Sequence, residues 1–354
     1  MTPKTFIGFT AVTAVIIVAA AFSISARYST DVFVLTDEPM FPDLTAKVND
    51  ITEISVRDAE KTVVIARKGV DWVLPERSDF PASGEIVRKF LIKLAELRVR
   101  ERKTSDPKLH ARLQVEDLKG KKALSKQLTV KDKDGKVLAD TLIGRQNFDI
   151  AGTVDAGRYV RKAGDPQSWL TAGTFDMPDA INKWVKPEFM NVDAKRVHTV
   201  TVRHPGGDGD MTAERIEPKG TKFKALNVPA GRKVEYQIDI DNMSDGVDRI
   251  ELEDIRKPGQ IEFPAGKTIK TSLRTYDGLI VDVELVSKDN DEEFWARFKA
   301  SVSPDAKDKK KIEAEAAKIN NTVTQWVYQI PAFKYRYMTR KMKEILDQPK
   351  KAAK

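Results

Sequence analysis

An internal duplication constrains the fold of this chain more than any other feature of its sequence. Residues 40–56 (MFPDLTAKVNDITEISV) align with residues 188–202 (EFMNVDAKRVHTVTV). Phe41 matches Phe189, Ala46-Lys47 matches Ala194-Lys195, Ile54 and Val56 match Val200 and Val202, and Arg57 matches Arg203. Each stretch ends in apolar–polar alternation, the period of a strand with one face in a core. The order then repeats. Thr62–Ala66, Gly69 and Trp72–Leu74, ended by Pro75, correspond to Met211–Ile216, Gly220 and Phe223–Leu226, ended by Pro229. The offset drifts as loop insertions would make it, which indicates two large copies and excludes a short-period solenoid.

The pattern continues through a helix and a hairpin in each copy. Ser83 is placed to cap a helix with Glu85 in its first turn. Ile86, Val87, Phe90, Leu91, Leu94 and Leu97 follow at i, i+3, i+4 spacing. The matching region, Val234 to Ile255, is more acidic and less regular. Asp134-Gly135 between Leu128–Val130 and Val137–Ile143 predicts a hairpin, as does Asp277-Gly278 between Ile269–Leu273 and Leu279–Leu285. A further strand follows each hairpin, at Arg158–Val160 and Phe294–Phe298. Trp169…Pro178 and Trp326…Pro331 then lead into stretches read as helical, Ala180–Phe189 and Phe333–Leu346. Ser303 to Asn321 reads as a charged insertion, an exposed helix or linker.

Ahead of this body lies Phe6 to Ala26, which carries no charged residue. As a helix it is about 30 Å long, enough to cross a bilayer core. Lys4 precedes it; Arg27, Asp31, Asp37 and Glu38 follow, a thin bias toward a cytoplasmic N-terminus. A cleaved signal peptide is the competing reading, with Ile24-Ser25-Ala26 as a passable cleavage site. The length of the run favours an uncleaved anchor. The expected architecture is α+β: an N-terminal transmembrane helix, then two tandem copies of a β-rich unit with antiparallel sheets and packed helices. The boundaries are 1–31 for the cytoplasmic N-terminus and anchor, 32–190 and 191–346 for the repeats, and 347–354 for a disordered tail.

Composition excludes several chemistries. The chain has no Cys, which removes disulfides, thiol catalysis and Cys-type zinc sites, and 3 His leave little room for a multi-His metal centre. A net charge of +8 on a chain that is 32% charged reads as a solvated surface, not a nucleic-acid face. Gly266-Lys267-Thr268 lacks the glycine a phosphate loop needs five residues before Gly266, where Ile261 stands, and reads as a turn. Asp239–Glu253 is acidic, but Met243 and Leu252 stand where an EF-hand needs oxygen ligands; an exposed acidic helix and turn is the default, and an irregular calcium site the rival. His110, His198 and His204 show no paired spacing, and His198 reads as a surface or strand-edge residue. No catalytic, cofactor-binding or metal residue is assigned. One stretch stands out for contact. Tyr335, Tyr337, Met338, Arg340, Lys341 and Met342 lie in a basic amphipathic helix, whose apolar stripe either packs on its own repeat or meets a partner or membrane surface.

Taken together, the anchor, Phe41-Pro42-x-Leu44, the strand with Ile51 and Ile54, Trp72-x-Leu74-Pro75, the helix Ile86–Leu97, the Asp134-Gly135 hairpin and Tyr159-Val160 resemble the bacterial domain-of-unknown-function family 4340. The second copy departs at Phe223, where the first has Trp72. The resemblance implies a companion of a gliding-motility-type ABC transporter, with its permease, ATPase or auxiliary subunit as partner. It implies no enzymatic activity. The expectation is a single-pass protein of the bacterial inner membrane with its bulk in the periplasm, acting as a non-enzymatic accessory protein and needing no nucleic acid or cofactor. A lipid- or glycan-binding carrier with its site between the repeats is the alternative.

Overall fold

The structure, a computed structural model, describes residues 38–120, 122–148, 156–173, 175–288 and 291–347. The apolar run 6–26 and all of the expected tail but Asp347 lie outside the described residues. Among the described residues no helix is long and apolar enough to cross a membrane.

The fold is α+β, with two large antiparallel sheets and several helices. The strands of the first sheet are β1 (Ile51–Arg57), β2 (Thr62–Lys68), β3 (Asp71–Leu74), β4 (Phe80–Pro81), β5 (Arg98–Arg102), β6 (Lys126–Asp132), β7 (Val137–Asn147), β8 (Gly157–Lys162) and β9 (Ser168–Ala172). Their order is β4-β3-β2-β1-β6-β7-β8-β9-β5. A short pair follows, β10 (Glu188–Met190) with β14 (Ile250–Glu251). The second sheet holds β11 (Val197–Arg203), β12 (Met211–Arg215), β13 (Phe223–Ala225), β15 (Asp254–Arg256), β16 (Ile269–Thr275), β17 (Leu279–Lys288), β18 (Glu293–Val302) and β19 (Val327–Gln329). Its order is β13-β12-β11-β16-β17-β18-β19-β15.

From β3 to β5 the first sheet has the same order, strand for strand, as the whole second sheet. The register agrees too. Ile54 faces Val130 across β1 and β6, and Val200 faces Leu273 across β11 and β16. Strands β1 and β11 alternate buried and accessible residues identically, because the same apolar positions point inward in both. Gly135 and Gly278 take positive φ in the two Asp-Gly turns, as the predicted hairpins require.

Contacts divide the chain into two compact units: Met1–Thr62 with Arg88–Met177, and Val63–Val87 with Pro178–Lys354. In the first, α1 (Pro42–Ala46) buries Leu44. Helix α2 (Gly84–Ala95) is the predicted amphipathic helix. Val87 and Leu94 are buried outright, Phe90 meets the Phe175 ring edge-on at 5.6 Å, and Ser83 Oγ accepts the Ile86 N–H at 3.5 Å. Helix α3 (Pro107–Leu113), not expected from the sequence pattern, is capped by Asp106 and stopped by Gln114 in the left-handed region. Beyond it Val115 drops into a cluster with Leu142, Tyr159 and Leu170. Burying a residue of this size stabilises by about 1.5–3 kcal/mol.

In the second unit the region 234–255 holds α4 (Gln237–Asp241) and a 3-10 helix at Asn242–Val247. The charged insertion is α5 (Lys309–Val323), and it is not merely exposed. Ile312, Ala316 and Val323 are buried, and the Asn320 amide clamps the backbone of Ala300 in β18 through two bonds, 2.8 and 2.9 Å. The stretch Ala180–Phe189, read as helical, is not a helix. It makes one 3-10 turn, Ile181–Lys183, and then enters β10. Pro187 disfavours helical backbone at Lys186, and the Trp184 indole N–H is drawn to the Pro178 carbonyl at 2.7 Å. The stretch Phe333–Leu346 is also not one helix. It divides into α6 (Ala332–Thr339) and α7 (Met342–Ile345), because Arg340 and Lys341 are extended.

Candidate partner-binding groove

The break between α6 and α7 builds the site. Helix α6 is pinned by Lys334, a buried lysine whose ammonium donates to the Asp245 carbonyl at 2.7 Å and to the Asp248 carbonyl. Burial holds its pKa below the usual lysine range, against the pull of Asp248 and Asp245. Met338 is fully buried and lies so close to Gly246 that a Cβ there would meet its Cγ at 2.5 Å. The carbonyl of Met338 accepts the Thr271 hydroxyl. After Thr339 the chain leaves the helix, and the Met342 N–H donates to the Gly209 carbonyl at 3.1 Å. The Lys341 N–H caps α7 by donating to Glu344 at 3.1 Å. His204 Nε2 lies 3.4 Å from the Arg340 carbonyl; burial of the ring lowers its pKa, so the neutral form is favoured.

These contacts leave a groove of about 1070 Å³ in the second unit. Its basic side chains are Lys267, Lys288, Arg336, Arg340 and Lys341, against the carboxylates of Asp208, Asp291 and Glu344. Arg340 is committed to Asp239 at 2.7 Å, with Glu344 at 3.9 Å. Lys267, Lys288, Arg336 and Lys341 form no ion pair among the described residues. Tyr335 and Phe294 supply an aromatic wall, their rings tilted at 4.5 Å. Burial raises the Tyr335 pKa, with the Ser287 hydrogen bond opposing it. Such a surface can hold an acidic group by charge and an adjoining apolar group by packing.

The six residues singled out by sequence therefore separate. Tyr335, Arg340 and Lys341 line the groove. Met338 and Met342 are buried behind it, so that part of the stripe packs on its own unit. Tyr337 is half-buried, its ring edge-on to Phe333 at 5.8 Å and outside the groove lining. Lys267, two residues before β16, stood only in the Gly-Lys-Thr motif read as a turn, and Lys288, at the end of β17, carried no local sequence signal.

Among the described residues no group of three His, Asp or Glu could hold a metal ion. In the acidic stretch, Asp241 accepts the Phe223 N–H at 2.9 Å and pairs with Lys222 at 2.8 Å. Burial raises its pKa and these donors outweigh that, leaving it below the usual carboxylate range. Burial keeps Asp245 above it. Gly266-Lys267-Thr268 is a turn in which the Thr268 hydroxyl donates to the Pro264 carbonyl at 2.8 Å. His198 sits on β11 inside the sheet, half-buried, stacked on Tyr276 and 3.0 Å from Glu214. His110 is buried against the Pro166 carbonyl at 2.8 Å.

The family described as Domain of unknown function (DUF4340) matches residues 72–268. The chain belongs to the DUF4340 family. The DUF4340 match begins at Trp72 in β3 and ends at Thr268, just before β16, so it includes strands from both large sheets. No curated protein and no solved structure matches the chain.

Proposed function

We propose that this DUF4340 protein is a non-enzymatic accessory protein of the bacterial cell envelope. Its apolar run Phe6–Ala26 anchors it in the inner membrane by a single pass. The body, two tandem copies at 32–190 and 191–346, stands in the periplasm and docks on an ABC transporter complex of permease, ATPase and auxiliary subunit. The observation that carries the docking part is the preformed groove beside α6 and α7. Its basic side chains exceed its acidic ones, and four of them lack an ion-pair partner among the described residues. The partner element it suits is an acidic segment with a neighbouring apolar side chain. The strand order that the second sheet shares with the first from β3 to β5 supports the tandem-copy reading.

The test is affinity capture of the full chain from bacterial membranes solubilised in mild detergent, read by mass spectrometry. Co-purification of a transporter subunit supports the proposal. Recovery of no transporter component would overturn it.

A further inference from the structure

The two sheets differ at one place where their registers are equivalent. Leu142 faces Arg161 across β7 and β8; Glu284 faces Arg297 across β17 and β18. In the first unit this position is covered. The segment after α3 lays Val115 on Leu142, and the Arg161 guanidinium donates to the Val115 carbonyl at 2.7 Å and pairs with Asp117. Gly144 makes the approach possible, since a Cβ there would lie 2.2 Å from the Leu113 carbonyl oxygen. In the second sheet the register equivalent of Gly144 is Val286, which is buried with Ile261 and Trp295. The covering segment is also shorter: residues 257–268 join β15 to β16, without the helix found between β5 and β6.

The result is a cleft of about 550 Å³, wholly inside the second unit, a volume within the range of about 300–1,000 Å³ usual for small-molecule sites. Its floor is two cross-strand rows. One runs Thr201, Ser272, Asp282, Lys299; the other runs Arg203, Lys270, Glu284, Arg297. Glu284 lies between Lys270 at 3.5 Å and Arg297, while Arg203 and Lys299 form no ion pair among the described residues. The floor thus holds four cations and two carboxylates. The wall is apolar and aromatic: Ile261, Phe263, Val323, Trp326 and Val327. Arg297 covers the Phe263 ring at 4.7 Å. Charge therefore lies beside apolar surface, with cations in excess.

We propose that this cleft binds a small anionic amphiphile, its anionic head on Lys270, Arg297 and Lys299 and its apolar tail against Phe263 and Trp326. This does not rest on the docking groove, which lies at other residues. The test is lysine acetylation footprinting of the full chain in phosphatidylcholine nanodiscs, with octanoate as the probe and octanol as its uncharged counterpart. Octanoate slows acetylation of Lys270 and Lys299 about threefold at twice its Kd, the factor 1 + [L]/Kd. Lys309 and Lys311, exposed on α5, are unaffected. Octanol protects neither pair. Thr324→Trp, at an exposed lining position, fills the mouth and abolishes the protection. Arg297→Gln weakens octanoate binding while leaving the thermal transition in place. Absence of protection at Lys270 and Lys299, equal protection by octanol, or protection that survives Thr324→Trp in a folded chain would overturn the proposal.

Discussion

Replacing Gly144 by Val puts into β7 the residue found at the equivalent register in β17. The Gly144 backbone has no positive φ, so the effect is steric. Its Cβ falls 2.2 Å from the Leu113 carbonyl oxygen and 2.8 Å from Val115 Cγ1. The neighbour at 2.2 Å is backbone, so the segment after α3 must move as a whole. Exposing Val115 costs about 1.5–3 kcal/mol. Losing the Arg161 bond to its carbonyl costs about 1.5–3 kcal/mol more, as for other bonds to charged groups. The β-branched side chain returns up to about 1 kcal/mol in a strand. The expected net loss is about 2–6 kcal/mol by the same figures. Urea unfolding of the full chain measures it. Hydrogen exchange at the Val115 amide, which donates to the His110 carbonyl at 3.1 Å, reports whether the segment has lifted. A loss under about 0.5 kcal/mol, the scale of an ordinary surface substitution, with the Val115 amide still protected, would refute this reasoning.

Lys334→Met leaves the carbonyls of Asp245 and Asp248 without their donor and destabilises by about 2–4 kcal/mol in urea unfolding, offset in part because a buried charge is also removed. Asn320→Ala strips the Ala300 backbone of both its side-chain partners and costs about 1–3 kcal/mol, with hydrogen exchange rising in β18. The folded-state pKa of His204 is lowered, so its neutral form's share of stability is intact above about 6.5, the unfolded value. That share is lost as pH falls from there through the folded value; thermal melts of His204→Gln against the parent chain should show the parent losing more over this window.

Much of the strand framework was legible in the sequence, because alternating burial and Asp-Gly turns are local signals. Ile54 with Val56, Val200 with Val202, and the hairpins at Gly135 and Gly278 all stand where the pattern put them. Helix α2 was legible for the same reason, its apolar face repeating every three to four residues. The stretch 180–189 does not form the expected helix, because its apolar residues sit between Pro178 and Pro187 and serve a turn and a strand. The break at Arg340 was hidden as well. It is imposed from outside the segment, by the Gly209 carbonyl taking the Met342 N–H and by His204 near the Arg340 carbonyl. The groove was half legible: Tyr335, Arg340 and Lys341 lie close together in sequence, but Lys267 and Lys288 reach them only because β16 pairs with β17. The cleft of the second sheet depends on Val286 standing where the first sheet has Gly144, a difference whose meaning appears only once the two registers are known.

The docking account is tested most directly by a photo-crosslinking residue placed at position 336 of the full chain in living bacteria. Arg336 is exposed, lines the groove and has no ion pair among the described residues. The account predicts a covalent adduct with a transporter subunit from position 336, none from position 309 on α5, and loss of the adduct when Lys288→Glu is added. Absence of an adduct from position 336, or one of equal yield from position 309 or in the Lys288→Glu chain, would contradict it.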